Sequence, residues 1–169
     1  VVPSHFEPFV KGDLVIGYTH YYYQNKSFTQ KQWEKISLDA LDALAYCEKK
    51  KIVLAYEYDG PKVPEVSNDL IRFNGWKDEG HETFIIERKC PKAQPWIESK
   101  QYFGFCKTAY KPYDLAVGLV LLVAASHAPK TIEVSSDGDW DGDWAEIRKA
   151  YKEIFGNEAV CPFKVQEPA

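Results

Sequence analysis

From Asp13 to Gln24 the chain reads DLVIGYTHYYYQ, a run of β-branched and aromatic residues that predicts a strand. Side chains alternate along a strand, so Leu14, Ile16, Tyr18, His20 and Tyr22 share one face and Val15, Gly17, Thr19, Tyr21 and Tyr23 the other. Neither face is polar, which predicts a strand covered on both sides or a tyrosine-lined groove. The period then changes. Trp33, Ile36, Ala40, Leu41, Leu44 and Ala45 recur at helical spacing, with Lys35, Asp39 and Asp42 between them. Thr29 stands where an N-cap belongs, Gln32 completes a capping box, and Phe28 is placed to staple onto Trp33. The helix should end in the charged run from Glu48 to Lys51, whose cations suit the negative pole of its dipole.

IVLAYEY (52–58) predicts a buried strand stopped by Asp59-Gly60-Pro61, and a loop with two prolines runs on to Ser67. DLIRFNGW (69–76) and ETFIIER (82–88) predict a hairpin with Gly80 in its turn. A proline-broken connection (90–100) leads to a short aromatic strand, YFGFC (102–106), and then to a polar elbow, KTAYKPYD (107–114). The apolar run 115–125 predicts a buried helix ended by Pro129, TIEVSS (131–136) a strand, and DGDWDGDW (137–144) an acidic loop. Asp143 is expected to N-cap the last helix, with Glu146 at its third position. Trp144, Ile147, Tyr151, Ile154 and Phe155 would form its buried stripe and Gly156 its left-handed stop. This order predicts a single α+β domain over 1–169, a mixed sheet of about five or six strands with three helices packed on it. Residues 1–11 read as an arm and 157–169 as a tail.

Composition narrows the function classes. Hydrophobic residues make up 45% and charged residues 27%, as in an ordinary globular domain. The net charge of −4 argues against bulk attraction to nucleic acid or to an anionic membrane surface. The longest apolar run is too short to span a bilayer. Cys47, Cys90, Cys106 and Cys161 are widely spaced with no CxxC pair, which argues against a zinc knuckle and predicts free thiols in a reducing compartment. The chain starts at Val1 and contains no methionine, so a cleaved leader stays open.

The elbow carries the densest candidate chemistry. Pro112 suits a first helical turn, and free backbone N–H groups there could hold a phosphate or carboxylate beside Lys107 and Lys111. Arg72, Asn74, His81 and Glu82 of the hairpin are expected to join Lys107, Thr108, Tyr110, Lys111 and Asp114 around a strand-end cleft, with the acidic loop as one wall. The plainer reading has Asp114 satisfying the helix start and the lysines solvated. Cys106, at a strand end before Lys107, is a candidate thiol nucleophile with His81, His20 or His127 as base and Asp114 to orient it. A buried, inert cysteine is the plainer reading there.

In the acidic loop Asp137, Asp139 and Asp141 match the first three ligand positions of an EF-hand, but Arg148 stands where the closing glutamate is required. The full motif fails. A looser calcium or magnesium site on these three carboxylates stays open, and no other cofactor is expected. His81-Glu82 without a later PCxxC rules out a zinc deaminase. The run Tyr21 to Tyr23 could stack a base or a sugar, or pack the sheet, and Trp140 is expected to face a partner.

Four stretches, RFNG (72–75), GHETF (80–84), FCKTAYKPYD (105–114) and VSSDGDW (134–140), resemble a family of small tailed-bacteriophage proteins. Nothing before Leu70 shares the likeness. The family often has Arg where this chain has Tyr110, which argues against a required cation there. The resemblance implies a virus-encoded accessory protein of the host cytoplasm, and it implies no activity. The resulting expectation is a counter-defence or host-modulating protein that binds an anionic small molecule or a host or viral protein. The alternatives are a hydrolase using Cys106 or an acidic-loop metal, and a virion or assembly component. Binding is favoured over catalysis, and the sequence leaves the oligomeric state open.

Overall fold

The capping box forms: the Gln32 N–H donates to Thr29 Oγ1 at 3.1 Å while the Thr29 N–H donates to Gln32 Oε1 at 2.9 Å. Phe28 and Trp33 meet at 5.5 Å between ring centroids, so the staple forms too. This start launches α1 (Gln30–Lys49) within a computed structural model that describes residues 17–164. Its strands are β1 (Thr19–Gln24), β2 (Leu54–Ala55), β3 (Glu65–Val66), β4 (Leu70–Gly75), β5 (Phe84–Glu87), β6 (Tyr102–Lys107) and β7 (Ile132–Ser136). The other helices are α2 (Asp114–His127) and α3 (Ala145–Phe155). The part of the first predicted strand before Gly17, the arm 1–11 and the last five residues of the tail lie outside the described residues. Elsewhere the proline loop contributes the two-residue β3, and the strand expected over 52–58 contracts to β2.

The class is α+β, with the strands divided between two antiparallel sheets. One has the order β6-β1-β7; in the other, β4 pairs with β2, β3 and β5. The division has a local cause. Side chains, not a ladder, satisfy much of the outer edge of β6: Gln94 receives the Phe103 N–H at 3.0 Å and donates to the Phe103 carbonyl at 2.7 Å. At the strand end the Glu82 carboxylate receives the Lys107 N–H at 2.7 Å. β5 therefore does not extend the first sheet, although the Tyr22 hydroxyl bridges to the Ile85 carbonyl at 2.8 Å.

Helix α2 is apolar all round and buried from Ala116 to Ala124, packed between α1, α3 and β7. At its end His127 Nε2 meets Asp39 of α1 at 2.6 Å. The described part of the tail docks: Phe163 bridges to Val134 and packs edge-on to Trp140 and Trp144. Gly156 ends α3 at φ 81°, as expected. The start of α3 differs. Asp143 does not cap it; its carboxylate turns back to the Asp139 N–H at 3.0 Å, and Trp144 takes the cap position.

Gly104 is a close-approach glycine, since a Cβ there would overlap the buried Tyr22 ring. Because that ring is held by its bond to Ile85, Gly104→Ala should cost about 1–3 kcal/mol in urea unfolding. An unchanged midpoint would mean that the Tyr22 ring has room to move.

Candidate functional site

Both neighbours of β1 run antiparallel to it, which brings the start of β1 and the ends of β6 and β7 to one end of the sheet. Thr19 lies opposite Lys107, and His20 opposite Cys106 on one side and Ser136 on the other. The elbow leaves from β6 and the acidic loop from β7, so both loops close over Tyr18 and His20. The elbow is a tight turn in which the Lys111 N–H donates to the Thr108 carbonyl at 3.0 Å. Its central residues, Ala109 (φ 51°) and Tyr110 (φ 58°), are both left-handed, and neither is glycine. Two such residues in succession store strain that the surroundings must over-determine. The Thr108 and Ala109 N–H groups both donate to the Tyr18 carbonyl, at 2.9 and 3.1 Å. The Tyr110 ring stacks on Tyr18 at 3.9 Å between centroids, with 17° between planes.

Beneath this turn lies a buried polar set centred on His20, which is 1% exposed. Ser136 Oγ accepts from the Gly138 N–H and from Trp144 Nε1–H, both at 3.0 Å. Its two lone pairs are then used, so its O–H must donate to His20 Nδ1 at 2.8 Å. The other ring nitrogen, Nε2, therefore carries the proton of the neutral ring and donates to Asp114 Oδ1 at 2.6 Å. Thr108 Oγ1 donates to the same oxygen at 2.6 Å. The order Ser-His-Asp is reminiscent of a hydrolytic triad, yet the serine has no lone pair left with which to attack. The set ties β1, β7, the elbow and the start of α2 together.

The acidic loop is folded on itself. Asp139 accepts from the Asp143 N–H at 3.2 Å and the Gly142 N–H at 2.9 Å, and these bonds, that from Asp143 first, hold its carboxyl below the usual range. Asp137 accepts from the Thr19 N–H at 3.0 Å and the Tyr21 hydroxyl at 2.9 Å, while Asp141 pairs with Arg148 at 3.0 Å. The three carboxylates expected to share a cation thus point to three different partners. No group of three metal-ligating side chains occurs among the described residues. Asp143 differs from Asp139: burial, together with the Asp139 and Asp114 carboxylates, pushes its carboxyl up. Tyr18, 2% exposed, presents a buried hydroxyl with no hydrogen-bond partner among the described residues, close to Gly138 and Asp143. Burial first, and then Asp114, push that hydroxyl far up; Ser136 opposes the shift but has no valence left for an aligned bond. Burial, followed by Asp143, Asp114 and Asp137, likewise raises Tyr110.

The other expected site residues divide. Arg72 lies away from the elbow, donating to the Tyr56 carbonyl, pairing with Glu57 at 3.3 Å and stacking over the Tyr56 ring. Asn74, 1% exposed, braces the hairpin through the His81 N–H and carbonyl and Thr83. Neither faces a cleft at the elbow. His81 and Glu82 do reach it, through the Lys107 carbonyl and N–H respectively. Lys107 and Lys111 make no ion pair among the described residues. The expected anion nest is occupied: the Asp114, Leu115 and Val117 N–H groups donate to the carbonyls of Lys111, Pro112 and Tyr113.

Cys106 does not fit the role of nucleophile. It is 1% exposed, its sulfur contacts the Glu82 carbonyl and the Tyr113 hydroxyl rather than a histidine, and burial pushes its thiol up to about 12. Trp140 is also less free than expected, half-buried against Trp144 and Phe163 with Arg148 over its ring. No described helix is long and apolar enough to cross a membrane. No protein-family model, curated protein or solved structure matches this chain, so the site is defined by its own geometry.

Two measurements follow from this network. Long-range 15N–1H spectra should show Nδ1 as the unprotonated nitrogen of neutral His20, and Ser136→Ala, which strands Trp144 Nε1–H, the Gly138 N–H and that nitrogen, should cost about 1–3 kcal/mol. The reverse tautomer would refute the bonding order. For Cys106, the unfolded thiol titrates near its ordinary 9.0 and the native one near 12. Between these values the unfolded chain releases a proton that the native chain keeps, so stability is full below about pH 9 and falls as pH rises toward 12. Cys106→Ala should lessen that alkaline slope, leaving the part due to Cys47, whose thiol burial also pushes up to about 12, and native Cys106 should resist iodoacetamide at neutral pH while the exposed Cys161 reacts.

Proposed function

We propose that this protein acts by binding a partner, and that its strand-end site takes a basic group, a guanidinium or ammonium carried by a partner protein. The carrying observation is the Tyr18–Tyr110 stack, bordered by Asp114, Asp137 and Asp143, with the unpartnered Tyr18 hydroxyl beneath it. Among the described residues none of these carboxylates pairs with Lys or Arg. An aromatic face next to uncompensated carboxylates favours a cation by both ring quadrupole and Coulomb attraction. That reverses the sign of the ligand expected from the sequence. An anion would meet three carboxylates and a helix start whose first N–H groups are already bonded.

The four stretches of likeness to tailed-phage proteins support a viral accessory role in a host cytoplasm; counter-defence or host modulation is the form of that role we propose. Against the hydrolase alternative stand the buried Cys106 thiol, the filled valences of Ser136 and the self-bonded acidic loop. The test is fluorescence anisotropy with labelled oligo-arginine and oligo-glutamate peptides of equal length. Oligo-arginine should bind, more weakly as salt rises, and Tyr110→Ala/Asp143→Asn should weaken it at least about tenfold. Lys107→Ala/Lys111→Ala should leave the affinity unchanged or raise it. A control away from the site that removes the same single negative charge, Glu48→Gln, is measured alongside. Equal binding of oligo-glutamate, or an equal loss in the control, would refute the reading.

A further inference from the structure

The face of the first sheet turned away from α2 carries four aromatic side chains in a square. Tyr23 lies opposite Phe103 and Tyr21 opposite Phe105 across the β1–β6 pair. In strand geometry these positions are about 5 Å apart across the pair and about 7 Å along each strand. Tyr21 and Phe103 are close to parallel, at 6.0 Å and 15°, and Phe103 meets Tyr23 at 5.1 Å and Phe105 at 5.8 Å. Among the described residues all their ring pairings are with one another, and Phe105 is 55% exposed. The inward residues of the same strands, Tyr22, His20 and Cys106, are buried, so the core does not need this square for its own packing.

Beside it runs β7, whose Glu133 and Ser135 lie opposite Tyr23 and Tyr21. Asp137 holds the Tyr21 hydroxyl at 2.9 Å, and Lys164 neutralises Glu133 at 2.8 Å. Among the described residues the remaining charge on this face is Lys107, opposite Thr19 at the end of β6. Two cations and two carboxylates leave no net charge to attract a phosphate chain, which requires a basic groove beside its stacking rings. Flat apolar rings next to carboxylate and hydroxyl acceptors match a different ligand, one with apolar C–H faces and many hydroxyl donors. We propose that this square is a binding platform for a neutral carbohydrate, whose pyranose rings lie on Tyr21, Tyr23, Phe103 and Phe105 while Glu133, Ser135 and Asp137 accept from its hydroxyls.

The test titrates the full chain with neutral pentasaccharides of the cellulose, amylose and chitin types, read by aromatic 13C–1H NMR. At least one should shift the four rings selectively. Phe105→Ala and Tyr23→Ala should each weaken it at least tenfold, while Phe105→Tyr retains it. Oligo-arginine binding at the strand end should be unchanged in Phe105→Ala, so the two sites fail or succeed separately. The proposal is overturned if no pentasaccharide moves the rings at millimolar concentration, or if oligothymidylate occupies them more tightly. Overhauser contacts that place residues 1–16 of the chain itself across the square would also overturn it.

Discussion

The bond from Ser136 to His20 and onward to Asp114 is the constraint on which this end of the molecule rests. Each member comes from a different segment: β7, β1 and the first residue of α2. A buried polar side chain is tolerable only when its partners are complete, and low local polarity makes a complete set stronger than its separate bonds. Register is fixed as a result. A one-residue slip of β1 would bring Thr19 or Tyr21 inward and leave Asp114, Thr108, Ser136 and Trp144 without their shared centre.

That fixed floor lets the surface above it carry strain. Ala109 and Tyr110 stay left-handed because the Thr108 and Ala109 N–H groups are anchored on Tyr18 and Thr108 is anchored on Asp114. The outcome is an aromatic stack set among carboxylates, with a buried hydroxyl that has no partner among the described residues. A polar residue count over 107–114 therefore says little about the charges around the stack, because Asp143 and Asp137 from the loop after β7 stand there beside the elbow's own Asp114.

Much of the fold is legible in local pattern. Thr29, Gln32 and Phe28 announce α1 because capping is a contact among near neighbours, and Gly156 announces the end of α3 for the same reason. The apolar run of α2 could only be buried. Strand length was harder to read: IVLAYEY has the composition of a strand, but β4 supplies pairing for only two of its residues. Asp143 illustrates the limit of a capping rule, since Asp139 offers its N–H closer to hand. The site was legible in part. The elbow, His81, Glu82 and Asp114 do converge, whereas Arg72 shares a strand with Asn74 but faces Tyr56 and Glu57. His20 was legible as one of three candidate bases for Cys106 and as a member of one face of the first strand; its pairing with Ser136 spans 116 residues, and no local rule reports that.

The carboxamide of Gln94 has a consequence for how other chains can approach. By taking both the N–H and the carbonyl of Phe103, it fills the backbone positions through which a foreign strand would add to β6. Recognition by strand addition is thereby closed along that stretch of edge, as is edge-to-edge self-association there. Whatever docks beside β6 must do so through side chains, so its specificity is written in rings and carboxylates rather than in main-chain pairing.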